Sequence, residues 1–255
     1  MFVTFFVGTA GSGKSTLTSI LNQWLGMNEI NVATVNLDPG VLTLPYGPDV
    51  DIRDYITLEA VMKEYGLGPN GGLLVSIDLI SNELEHLKEE LEDLDPEIVL
   101  FDTPGQIELF AYRTVGPLIL SSLGSEKSVV TYLFDAHLTR DPTGFISLAF
   151  LGMSANFRFR LPMISVLAKA DLLSDSEIER ILDWAQSPAF ILKDLERSSK
   201  GLSREMSIHL LEMLAQFTDL PELLPVSIQE FQGVSELYGL LTRYWSAGED
   251  YITDI

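Results

Sequence analysis

The sequence predicts an α/β fold, a mostly parallel sheet with helices on both faces. Three observations carry that expectation. Short, near-continuous apolar runs alternate with helical patterns along the chain. A glycine-rich turn, Gly8-Thr9-Ala10-Gly11-Ser12-Gly13-Lys14-Ser15-Thr16, joins the first run to the first helical pattern. The residues best suited to chemistry stand at the carboxyl ends of the runs, where open α/β sheets bind their ligands.

The first run, Phe2 to Val7, reads as a buried strand, and Leu17, Ile20, Leu21 and Trp24 place an amphipathic helix after the turn. Between them the spacing G-x-x-x-x-G-K-S is that of a phosphate-binding loop. Glycines let consecutive backbone N–H groups converge on phosphate oxygens, and the helix N-terminus adds partial positive charge. Gly11, Ser12, Gly13, Lys14, Ser15 and Thr16 are therefore the expected phosphate contacts, with Lys14 neutralising the outer phosphates and the Ser15 hydroxyl ligating Mg²⁺. By ordinary residue usage a chain this long shows the pattern by chance about once in a hundred. Strand, loop and helix together predict the P-loop NTPase fold.

Val32 to Leu37 reads as a second strand, ending at Asp38-Pro39-Gly40. Asp51 to Tyr65 is expected to be helical, and the run Gly66 to Gly72 to break it. Ile77, Ile80, Leu84, Leu87, Leu91 and Leu94 recur at helical spacing and predict one helix ended by Pro96. Its other face bears eight acids between Glu83 and Glu97, a solvated surface. Ile98 to Phe101, Val129 to Phe134, Met163 to Leu167 and Leu223 to Val226 complete the strands. Ser174 and Glu177 form a capping box. A helical insertion is expected over about 176–220, and the whole chain, 1–255, reads as one domain.

Asp102 closes a strand downstream of the loop, the place for a carboxylate of the Mg²⁺ shell. Asp102-Thr103-Pro104-Gly105-Gln106 puts a glycine where a terminal phosphate would lie and an amide where a water could be oriented. Lys169-Ala170-Asp171 suits base selection. A carboxylate there would accept from the ring N–H and the exocyclic amine of guanine, and adenine lacks both donors.

Composition narrows the partners. The 255 residues carry a formal net charge of −21 and no cysteine, and 46% are apolar. The charge argues against nucleic acid and anionic membranes, and zero cysteines exclude disulfides and thiolate metal sites. No basic residue precedes the apolar start and no apolar run approaches a membrane span, so a soluble, cytoplasmic protein is expected. His86, His137 and His209 are scattered, and Arg113 and Arg140 read as surface ion-pair partners in preference to phosphate contacts.

The phosphate loop, Asn36-Leu37-Asp38-Pro39, Gly68-Pro69-Asn70, Asp102-Thr103-Pro104-Gly105-Gln106 and Lys169-Ala170-Asp171 stand in the order found in the GPN-loop GTPases, and the chain resembles that family over roughly its first 230 residues. The resemblance implies a homodimer of the archaeal type, binding GTP and GDP, in which the Gly-Pro-Asn insertion (about 66–72) of one subunit reaches the other's site. It implies catalytic roles for Asn70 in trans, Asp38 and Gln106 at the attacking water, and Glu108 in the same network. Ser227-Ile228 matches the last base-contacting loop. Ala168 departs from the family pattern, which has Asn or Thr there. Eukaryotic relatives are linked to RNA polymerase assembly and import, which offers a client by analogy. The alternatives are an ATPase of the same fold and a nucleotide-binding scaffold with negligible hydrolysis.

Overall fold

A computed structural model describes residues 1–198, 202–217, 222–227 and 231–247. Seven strands form one parallel sheet in the order β3-β2-β4-β1-β5-β6-β7. They are β1 (Phe2–Gly8), β2 (Val32–Asn36), β3 (Val50–Asp51), β4 (Ile98–Asp102), β5 (Ser128–Asp135), β6 (Met163–Ala168) and β7 (Leu223–Val226). The helices are α1 (Lys14–Met27), α2 (Leu58–Tyr65), α3 (Pro69–Leu79), α4 (Leu84–Leu94), α5 (Ile107–Ala111), α6 (Val115–Leu123), α7 (Pro142–Phe159), α8 (Asp175–Gln186), α9 (Pro188–Ser198), α10 (Leu202–Phe217) and α11 (Val234–Ala247).

Alternate residues of the strands enter different cores, so both faces of the sheet are dry. Phe6, Leu100, Leu133 and Val166 pack with Leu17 and Leu21 of α1 and Leu241 and Trp245 of α11. Phe5, Phe101, Tyr132 and Phe134 face the other way, against Leu87 of α4, Ile119 of α6 and Phe145 of α7. Each such fully buried side chain contributes about 1.5–3 kcal/mol, which is why the strands read as unbroken apolar runs. Two hydroxyls interrupt them: Thr4 on β1 and Thr131 on β5 are fully buried and bond to each other at 2.8 Å.

The sequence reading differs from the structure in the segment 50–94. Instead of opening a helix, Asp51 pairs with Asn36 as the edge strand β3, because its carboxylate accepts from the Asn36 amide (2.8 Å) and caps Arg53 N–H (3.0 Å). A 3-10 turn follows over Ile52–Asp54, and helix starts only at Leu58, capped by the Thr57 hydroxyl. Gly66, at φ 64°, ends α2 as expected, yet the Gly-Pro-Asn segment is the start of α3 rather than a loop: Gly68 is its N-cap and Pro69 its first residue. Gly72 lets α3 lie close on α2, since a Cβ there would come within 2.5 Å of Met62 Cγ. The single helix expected over Ile77 to Leu94 is two, α3 and α4, separated by a 3-10 turn at Ile80–Asn82. Ser81 Oγ donates to the Asp78 carbonyl at 2.7 Å and competes with the helical bond there. The capping box at Ser174 and Glu177 forms as read, and α8, α9 and α10 lie in the segment about 176–220.

No helix of the described residues is long and apolar enough to cross a membrane. The Thr4–Thr131 pair makes a test of the sheet centre. Thr4→Val strands a buried hydroxyl on Thr131 and should cost about 1–3 kcal/mol. The double change Thr4→Val with Thr131→Val should recover most of it, as read by urea unfolding followed by circular dichroism.

Candidate functional site

The strand order reverses direction around β1, and the turn after β1 opens into the resulting crevice. Gly13 takes φ 101° as the N-cap of α1, a left-handed conformation that glycine adopts without strain. Lys14 follows, buried to 5% exposure. Its ammonium donates to the carbonyls of Gly8 (3.2 Å), Thr9 (3.1 Å) and Gly105 (3.1 Å). Burial pushes its pKa down, opposed by the nearby charges of Asp102, Asp38 and Glu108. This cation therefore ties the glycine turn to the loop after β4.

Asp102, at the end of β4, is 2% exposed. Its Oδ2 accepts from the Tyr46 hydroxyl at 3.1 Å, and its carboxyl interacts with the Ser15 hydroxyl. Burial pushes its pKa up to about 6, against the pull of the Ser15 bond, Lys14 and Tyr46. Among the described residues its buried Oδ1 has no hydrogen-bond partner, nor have the hydroxyls of Thr9 and Ser12. A buried carboxylate oxygen left open beside a serine hydroxyl, both hard oxygen donors, fits a Mg²⁺ shell. Ser15 and Asp102 are the residues that would hold the ion.

Asp38 sits one loop further along. Its Oδ1 accepts from Gly40 N–H (2.9 Å) and its Oδ2 from Gly105 N–H (3.0 Å). Asn36, fully buried, holds this loop from below: its Oδ1 accepts from Asp38 N–H (3.0 Å), and its amide donates to the Asp38 carbonyl (3.3 Å) and to Asp51. Arg53 pairs with Asp51 and donates to the Val41 carbonyl (3.2 Å), while Ser19 donates to the Pro45 carbonyl (3.2 Å). Gln106 and Glu108 are exposed at the start of α5. Asn70 is exposed on the first turn of α3, whose Leu73 lies against Gly40.

The other end of the crevice is a cavity of about 150 Å³ lined by Gly13, Thr16, Ala168, Lys169, Asp171 and Ser227. Asp171 Oδ1 accepts from Ser227 Oγ at 3.1 Å. Lys169 adopts φ 59°, and its stem passes Gly13, where a Cβ would lie 3.6 Å from its Cε. Its ammonium donates to the Gly11 carbonyl and pairs with Asp135 at 2.7 Å. Ile228 lies outside the described residues.

Lys14, Asp38 and Asp102 thus gather on one side of the glycine turn, and Lys169, Asp171 and Ser227 on the other. The family model described as "Conserved hypothetical ATP binding protein" matches residues 6–246. The chain is 32% identical over 247 residues to the GPN-loop GTPase PAB0955 of Pyrococcus abyssi, covering 95% of this chain and 97% of that one. It belongs to the GPN-loop GTPase family. GPN-loop GTPase 1 of Dictyostelium discoideum is 32% identical over 248 residues, 96% of this chain but only 61% of that relative's length. GPN-loop GTPase 3 of Kluyveromyces lactis is 39% identical over 185 residues, covering 71% and 68% of the two chains. The crystal structure of PAB0955, described as a GTPase in apo form, superposes with a TM-score of 0.83 at 31% identity, covering 96% of this chain and 97% of that one.

Against this GPN-loop frame, sequence reasoning overlooked Tyr46, Asp135 and the Asp51–Arg53 pair. A tyrosine in a loop and a carboxylate ending a strand are common. Position alone, at the carboxyl ends of β5 and β3, would have marked the two acids. The arginines Arg113 and Arg140 pair with Asp78 and Glu177, as read. Among the described residues no cluster of histidines and acids could hold a metal.

The Asp102 environment is open to measurement without ligand. Carbon-13 NMR of the metal-free protein should show this carboxyl titrating near pH 6. Tyr46→Phe removes a bond to the ionised form and should move that titration to higher pH. An unchanged titration would show that the phenol does not stabilise the carboxylate.

Proposed function

We propose that this chain hydrolyses GTP in a Mg²⁺-dependent reaction as a homodimer, each Gly-Pro-Asn segment completing the partner's site. One observation carries the reading. A buried ammonium, Lys14, is satisfied only by carbonyls of two loops and stands among Asp102, Asp38 and Glu108, beside backbone amides that a phosphate chain would fill.

Phosphoryl transfer needs charge neutralisation and alignment more than covalent help. The amides of Gly11 to Thr16 cradle the phosphates and Lys14 reaches the outer ones. Ser15 and Asp102 hold Mg²⁺, which when bound neutralises charge on the phosphate oxygens. Asp38 and Gln106 orient the attacking water, with Glu108 in the same network, and the Gly105 N–H now bonded to Asp38 lies where a terminal phosphate would accept it. Asn70, exposed on α3, reaches the phosphate end of the partner's site. At the base end Asp171 accepts from guanine, Thr16 and Ser227 border the ring, and the Lys169 stem covers it; a base contact by Ile228 follows from the resemblance alone. The chain works as one domain, 1–255, in which α8 to α10 are an insertion, in the cytoplasm. An RNA polymerase-related assembly client follows from family analogy alone.

Three measurements test the parts. Gln106→Leu and Asp38→Ala should each slow turnover at saturating GTP by about ten- to a hundred-fold while nucleotide affinity stays within a few-fold. Normal turnover in both would remove the water-orienting roles. GDP, and not ADP, should displace a fluorescent guanine nucleotide, and Asp171→Ala should abolish that preference. Displacement by ADP would favour the ATP-binding description of the family model.

The dimer has a complementation test. Asn70→Ala and Gln106→Leu chains, each slow alone, should after subunit exchange at equal mixing recover about a quarter of the parental rate per site, because half the dimers then carry one intact composite site. No recovery, or a monomer in sedimentation, defeats the shared site.

A further inference from the structure

We propose that Asp135 is a positioning residue for nucleotide retention: it holds the Lys169 ammonium against the phosphate loop and so locks the base end of the site to the phosphate end. The inference rests on the guanine-nucleotide reading above.

The geometry is a three-part strut. Asp135 ends β5 and is 6% exposed, directly opposite Ala168 in the register with β6. Both its carboxylate oxygens are committed. Oδ1 accepts from His137 N–H at 2.7 Å, and Oδ2 accepts from Lys169 Nζ at 2.7 Å. The next turn is also fixed, with Thr139 Oγ1 donating to the Asp135 carbonyl at 2.8 Å and Ala136 N–H to the Ala168 carbonyl at 3.2 Å. The same Lys169 ammonium donates to the Gly11 carbonyl, and its stem lies along Gly13. One lysine therefore joins the end of β5, the phosphate loop and the base cavity.

Two features explain why a carboxylate is needed. Ala168 carries only a methyl group, so the last residue of β6 has no side-chain polar atom to reach the phosphate loop. The work of joining the two loops falls to Lys169, whose long stem must be held in a left-handed turn. A lysine loses considerable rotamer freedom when fixed, and the two charge-assisted bonds made by its ammonium offset that cost. The charge matters too. Lys169 and Lys14 repel one another across the loop, and Asp135 cancels one of the two charges at its source. Without it, the lysine would be free to leave the Gly11 carbonyl, and the loop would lose its tie to the cavity.

The test is release of a fluorescent GDP from the full-length chain, followed by stopped flow. Asp135→Asn is isosteric and keeps an acceptor for His137 N–H, and it should release GDP about ten-fold faster. In a Lys169→Met background, itself fast, the same change should add less than two-fold, because its effect passes through the lysine. Adding Ala168→Asn to Asp135→Asn supplies an amide at the neighbouring strand end and should recover most of the parental rate, which a purely structural role for Asp135 would not predict. His137→Ala, whose side chain is not part of the strut, should release at the parental rate. Parental release from Asp135→Asn overturns the inference, as does equal acceleration with lysine or methionine at 169. Failure of the parental chain to bind guanine nucleotide would instead defeat the proposed function, and the inference with it.

Discussion

The buried ammonium of Lys14 is the interaction on which the site depends. Removing a lysine from water is costly, and here three carbonyls and a set of carboxylates offset the cost. The cost is not fully offset: burial pushes the Lys14 pKa down against the pull of Asp102, Asp38 and Glu108. A neutral carbonyl is a poor substitute for an anion, so the lysine holds attraction in reserve for a polyphosphate. Its bond to Gly105 also joins the turn after β1 to the loop after β4. Any anion that draws the lysine away must act on that second loop at the same time.

The Asp38 loop is built on the same economy of polar groups. Asn36 closes β2 with no exposure, and its amide is shared between the Asp38 backbone and Asp51 of the edge strand. Asp51 in turn fixes Arg53, which reaches the carbonyls of Val41 and Leu42. A two-residue strand looks negligible as sheet, yet through Asn36 and Arg53 it braces the loop after β2. Tyr46 brings the far side of the loop back to Asp102. The segment 37–49 is thus tethered at Asp38, Val41, Pro45 and Tyr46, although it contains no regular element.

Much of this was legible in the chain because burial on both faces leaves an unmistakable apolar run. Every long strand follows from that pattern, and the glycine turn fixes where the phosphate end must be. What escaped has a common cause. The edge strand at Val50–Asp51 depends on the Asn36 amide, a contact 15 residues distant. The division of α3 from α4 depends on a serine turning onto its own backbone. The helical start at Pro69 was hidden because glycines on either side read as a break, whereas Gly72 serves the approach of α3 to α2. Periodicity reports burial well, but it does not report a polar tether. The site residues divide in the same way: Lys14, Ser15, Asp102 and Asp171 are fixed by motif spacing, while Tyr46 and Asp135 matter only through their partners.

The charge of the whole chain sharpens the point. With a formal net charge of −21, the protein repels an anion at long range, so steering cannot bring a nucleotide in. Attraction must come from groups within bonding distance, where screening is weakest and the local dielectric is low. In the crevice those groups are the amides of the glycine turn and Lys14, the charge of Lys169 being balanced by Asp135. Two of the 16 basic residues meet this loop: Lys14, held by carbonyls that a phosphate would displace, and Lys169, whose charge Asp135 already balances. The acidic surface and the crevice are therefore parts of one arrangement: an anion is drawn in only where the amides of the glycine turn and the Lys14 ammonium converge.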